Sequence, residues 1–163
     1  MEPWLRGTLL ELSPIERALL HSLEMAQEDT GSFCGTLTNA ESQARPFQLP
    51  SVAFQLRHIA RSLDRFCTYA EGKPLSEQQL SALAAEHDYS PFSPFYELEE
   101  SIQTTRGRLP GILTRPLDTP IAIGRKRLAT TVGGLLVHAA EHTQRHVGQA
   151  ITTAKVIVAL RAN

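Results

Sequence analysis

The amino-acid sequence predicts an all-α protein, a four-helix bundle with one short extra helix, with residues 1–163 as a single domain. Three observations lead there. Apolar residues recur at helical spacing through four long segments. Several of these segments begin with capping residues. Finally, 42% hydrophobic against 20% charged residues in a chain of 163 is enough to bury one continuous interior. Helices that are apolar on one side cover each other's stripes most simply as a bundle.

Ser13-Pro14-Ile15-Glu16 opens the first helix. A serine cap, a proline at the first helical position and a glutamate three residues after the cap satisfy and charge-complement the free amides of a helix start. The helix is expected to run to about Phe33. Residues 35–50, rich in Thr, Asn, Ser, Gln and Pro and without periodicity, read as a long connection. A second helix is expected over 51–70, stopped by Gly72-Lys73-Pro74. Ser76 and Gln79 repeat the capping-box spacing before a short helix over 78–86. The turn-rich joint Tyr89-Ser90-Pro91-Phe92-Ser93-Pro94 leads to a third long helix over 95–109. Residues 117–128 form a loop with a short extended piece at Ile121-Ala122-Ile123. The fourth long helix covers 131–160.

Charge excludes some functions. Sixteen basic against seventeen acidic residues give a formal net charge of -1, so the chain lacks a nucleic-acid footprint beyond the short patch Arg125, Lys126, Arg127. The first residues, M-E-P-W-L-R-G, do not resemble a signal peptide, and no stretch approaches the ~20 apolar residues of a membrane span. A cytoplasmic protein is therefore expected, acting on a small molecule, with no nucleic-acid or membrane partner. Cys34 and Cys67 have neither a disulfide pattern nor metal-ligand spacing and read as reduced thiols. Bundles with apolar outer faces commonly dimerise, and Phe33 or Trp4 would suit a homodimer contact.

The chemistry concentrates in V-H-A-A-E-H-T-Q-R-H-V-G-Q, where His138, His142 and His146 stand four residues apart. That spacing stacks side chains on one helical stripe, with Cβ atoms about 6 Å apart, close enough for two imidazoles to share one metal ion. At about 100° per residue, His142 and His146 share a sector with Leu128, Leu135, Thr153, Val156 and Leu160, and His138 lies there too. Neutral imidazoles buried without partners cost about 1–3 kcal/mol each, so something must pair with them. Two helical histidines need a third ligand from another element. His58 can supply it, on the second helix at the border of the face formed by Val52, Ile59, Leu63 and Phe66. His21 and His87 read instead as surface or partly buried structural residues.

This pattern resembles the DinB-like superfamily, the damage-inducible family of four-helix-bundle metalloproteins. The resemblance rests on His142-Thr-Gln-Arg-His146-Val-Gly148-Gln149, which matches H-x-x-x-H-x-G-Q, and on L-R-H-I-A-R-S-L-D-R-F around His58. It covers nearly the whole chain. It implies a metal triad of His58, His142 and His146 and leaves His138 as an extra ring one turn earlier. Members include low-molecular-weight-thiol transferases, a thiol-dependent maleylpyruvate isomerase and metal-dependent hydrolases. The resemblance thus implies thiol S-transfer or hydrolysis at a metal and does not choose between them.

Three neutral histidines leave positions on a divalent ion open to substrate, the arrangement of a catalytic site, and suit zinc, nickel or iron. Such an ion either holds a low-molecular-weight thiol as a nucleophile, with thiol S-transfer the expected reaction, or activates water, with hydrolysis the alternative. A non-enzymatic metal-binding stress or interaction protein is the alternative class. His138-Ala-Ala-Glu141-His142 also matches the inverted zinc-protease motif, with Glu141 as general base, but no acidic ligand follows downstream. Glu141 and Gln149 are the candidate catalytic residues, Gln149 as a hydrogen-bond partner of His146 or of a group on the metal. Gly148 is expected to permit close helix approach.

Overall fold

The structure, a computed structural model, describes residues 1–161. The last two positions of the expected 1–163 domain lie outside the described residues. Four long helices form the frame: α1 (Pro14–Cys34), α3 (Val52–Ala70), α5 (Pro94–Ile112) and α6 (Val132–Leu160). Shorter helices, α2 (Asn39–Gln43) and α4 (Glu77–Ala84), and a hairpin of β1 (Pro120–Ile123) and β2 (Leu128–Thr131) fill the connections.

The caps predicted at Ser13 and Ser76 form, and Ser51, expected as the first residue of the second helix, is its cap. Ser13 Oγ accepts from the Glu16 amide at 3.2 Å, Ser51 Oγ from the Phe54 amide at 3.1 Å, and Ser76 and Gln79 close a reciprocal box. Each satisfies an amide that the helix itself leaves unpaired. α5 runs three residues beyond the expected end. Pro110 removes one late hydrogen bond, but Leu109 and Ile112 are buried in the core, and burying each such side chain contributes about 1.5–3 kcal/mol.

Two connections hold more structure than expected. Residues 35–50 contain α2, opened by a capping box in which Thr38 Oγ1 accepts from the Glu41 amide and Glu41 accepts from the Thr38 amide. Residues 117–128 extend into an antiparallel hairpin that pairs Pro120 with Thr131 and Ile123 with Leu128. Gly124 and Arg127 turn its tip with φ of 68° and 49°.

In the bundle α6 packs on α1 and α3, and α3 packs on α5 as well, with a lesser α1–α5 contact. α1 and α3, consecutive among the long helices, therefore stand at opposite corners. The connection from 35 to 51 has to cross the end of the bundle, which accounts for its length. The core is built from Leu19 and Leu23 of α1, Leu56, Ile59 and Leu63 of α3, Ile102 and Leu109 of α5, and Leu136, Val147 and Ile157 of α6. The histidine stripe does not lie in this core. The buried line of α6 is Leu136, Ala139, Thr143, Val147, Ala150, Ala154 and Ile157; His142 and His146 flank it half-buried, whereas His138, Leu128 and Leu160 are exposed. The long run of small and apolar residues on α6 widens its apolar arc, which placed the rim residues inside it on periodicity alone. No helix among the described residues is long and apolar enough to cross a membrane.

Candidate metal centre

α3 and α6 lie side by side, so His58 of α3 meets the one-turn pair His142 and His146 of α6. One nitrogen from each ring falls within 4.8 Å of the other two. The Nε2 atoms of His58 and His142 are 3.1 Å apart, and the His146 ring centroid lies 4.5 Å from that of His58 and 4.4 Å from that of His142. Two imidazole nitrogens on a tetrahedral divalent ion stand about 3.3 Å apart, given metal–nitrogen bonds of about 2.0–2.1 Å. The donor set and its spacing fit such an ion.

Hydrogen bonds orient two of the rings. His58 Nδ1 donates to Glu86 Oε2 at 2.7 Å; a carboxylate only accepts, so the ring proton sits on Nδ1 and the Nε2 lone pair faces the other histidines. His146 Nδ1 donates to Gln55 Oε1 at 2.6 Å, one turn before His58 on α3, with the same result. Arg65 holds the second oxygen of Glu86 at 2.8 Å and is itself bonded to Ser62 Oγ. Burial pushes the Glu86 carboxyl upward, but the hydrogen bonds from His58 and Arg65 outweigh it, and its pKa ends below the ordinary value. The glutamate is an anchored anion with both oxygens committed.

Burial is also the main cause that lowers the pKa of His142, to about 3, with repulsion from His146, His58 and His138 added. His146 is lowered to about 4 by burial and by His58 and Arg145, against an opposing hydrogen-bond contribution from Gln149. Both rings are neutral near pH 7, the form that binds metal. Phe54 stacks on His58 at 5.5 Å and Phe66 meets His142 edge-on at 5.3 Å, so apolar rings border the cluster on two sides.

Other sequence candidates lie apart. His138 touches Phe66 at 5.3 Å on the exposed rim. Glu141 is exposed, forms no ion pair with Arg145, and lines a cavity of about 760 Å³ between the N-terminal segment, α1 and α6, together with His21. It does not join the histidine cluster, which removes the protease-like arrangement. Gln149 is exposed beside His146. Gly148 faces open space, with nothing within 4 Å of a Cβ placed there, so close helix approach is not its role. His87 is exposed but stacks on Phe54 at 4.3 Å. Cys34 and Cys67 are both buried free thiols, and burial pushes Cys34 up to about 11 and Cys67 above its ordinary value.

Gln55, Glu86 and Arg65 escape sequence reasoning. Gln55 carries a faint signal, three residues before His58 on the same helix face. Glu86 falls just past the end of α4, where no periodicity indicates direction. Arg57, 1% exposed, is also hidden by sequence: it pairs with Glu97 at 3.6 Å and reaches the carbonyls of Asp88, Ser90 and Phe92, all at 3.4 Å. It ties down the joint that follows Glu86.

No curated protein and no solved structure matches the chain significantly. A family model does. It matches residues 22–150, a span that contains all three histidines together with Gln55 and Glu86, and the chain belongs to the DinB superfamily.

Proposed function

We propose that His58, His142 and His146 hold one divalent metal ion, and that the protein is a metal-dependent enzyme transferring a low-molecular-weight thiol to a small electrophile. The observation that carries this reading is the convergence of three imidazoles with two Nε2 lone pairs fixed toward a common point by Glu86 and Gln55. Three neutral histidines would leave a divalent ion its full +2 charge, and the ion would supply Lewis acidity that lowers the pKa of a thiol. Residues of the chain do the rest. Glu86 keeps the His58 proton on Nδ1, Gln55 does the same for His146, and Phe54 and Phe66 exclude water from two sides of the cluster.

One observation favours thiol transfer over hydrolysis. A metal-bound water would shed its proton as a metal-bound thiol would, but hydrolysis of an ester or amide also delivers a proton to the leaving group, and Glu86 has both oxygens engaged while Glu141 lies elsewhere. Displacement of a halide by a thiolate needs no such proton donor. The thiol must come from a small molecule, because both cysteines are buried and held protonated.

Metal analysis of the purified protein tests the site. About one equivalent of metal is expected, lost in His58→Ala and in His142→Ala; full occupancy in both variants overturns the triad. Steady-state assay of thiol consumption with a haloaromatic electrophile then tests the reaction. Hydrolysis of an ester or amide by the metal-loaded protein, without thiol consumption, would replace transfer by the hydrolase reading.

A further inference from the structure

We propose that the cleft between the β1–β2 hairpin and the C-terminal end of α3 is a binding site for a small, phosphate-bearing polyanion. It is independent of the metal centre: Tyr69, on its wall, lies eleven residues along α3 from His58, about 16 Å at 1.5 Å per residue.

The cleft encloses about 550 Å³, within the ordinary size for small-molecule sites. Lys73, Arg115, Arg125 and Arg127 line it, and no carboxylate does. This concentration is local, because the whole chain has a formal charge of -1. Glu71, next in line, is occupied by Arg108 and Lys73, which leaves the three arginines as the main source of positive field. Among the described residues the side chains of Arg125 and Arg127 make no hydrogen bond or ion pair.

One cation is fixed by a hydrogen bond and another is held at a conformational cost. Arg115 donates to the Ala70 carbonyl and lies over Gly72, whose φ of 79° closes α3; its guanidinium stands 3.1 Å from where a Cβ at 72 would be. Arg127 adopts φ 49° at the hairpin tip, a conformation that normally selects Gly or Asn. Three successive cations and a strained arginine disfavour the hairpin taken alone. An anion in the cleft reverses that balance, since guanidinium groups bind phosphate oxygens in paired, charge-assisted hydrogen bonds. Backbone strain of this kind is retained where the strained residue serves a site. The concave shape, with Tyr69 and Ile121 on the walls, favours a compact ligand over a nucleic-acid duplex or a membrane surface.

Calorimetric titration of the full-length protein with inorganic pyrophosphate tests the proposal. One saturable site is expected, with affinity falling as salt rises. The paired change Arg125→Gln and Arg127→Gly should weaken binding at least about tenfold, as loss of charge-assisted contacts requires, while the thermal midpoint stays the same or rises because the strain at 127 is gone. Binding should persist in His142→Ala, which separates the cleft from chelation at the histidines. Absence of saturable binding into the millimolar range overturns the proposal, as does binding that survives the paired change or disappears in His142→Ala. Binding of duplex DNA or anionic vesicles that pyrophosphate does not displace would likewise overturn it.

Discussion

Residues at the histidine cluster divide by how they are held. His58 and His146 each have one nitrogen committed to a partner on α3 or just after α4, and the other directed inward. Glu86 is the most exacting of these supports, because it joins His58 to Arg65 while 5% exposed. Glu86→Gln keeps the shape but removes the charge, so the His58 proton is held less firmly and Arg65 loses its counter-ion. Metal affinity is expected to fall about 10- to 100-fold, measured by competition with a chromophoric chelator. Unchanged affinity would show that His58 needs no orienting partner. The three histidines that converge are readable from spacing and from the neighbours of His58; their supports are not. Gln55 with His146 and Glu86 with His58 are pairings across 91 and 28 residues, and neither helical period nor composition encodes which distant polar groups meet.

At the scale of elements, caps and terminators made the long helices legible, because each depends on residues three or four apart. The hairpin was obscured for a physical reason: its tip places Arg127 where the usual glycine or asparagine signal would stand. α2 was obscured by its polar composition, although Thr38 and Glu41 carry capping-box spacing. α6 shows the limit of periodicity, since a rim of histidines beside a broad apolar arc reads as part of the arc. Its Gly148 is expendable. The position is helical and exposed, and an added methyl meets open space, so Gly148→Ala is expected to stabilise the fold by about 0.5–1 kcal/mol. Chemical denaturation measures this, and metal content should not change. A loss of stability would mean that the glycine has a conformational role.

For the whole molecule, a metal ion held as proposed by the three histidines would clamp α3 to α6, the pair that joins the two halves of the bundle. Ligands that bind only the folded state add about 4 kcal/mol at a thousandfold excess over Kd. For a chain of this length that corresponds to a thermal midpoint about 10 °C lower after chelation, and readdition of the ion should restore it. A midpoint insensitive to chelator, in protein shown by analysis to have lost its metal, would mean that the apo bundle is already held in the same geometry without cost. The four-helix architecture is legible in sequence because it follows from one-sided helices; the diagonal placement of α1 and α3 is not, since it depends on which stripes fit together in space.

That arrangement, with the histidines split between α3 and α6, has a consequence for biosynthesis. His58 leaves the ribosome well before His142 and His146, which follow 84 and 88 residues later. A nascent chain that has reached only the hairpin therefore carries one histidine of the three. The cluster comes into being only when α6 has been made and has docked against α3, so an ion held by all three would report that these two helices are in place.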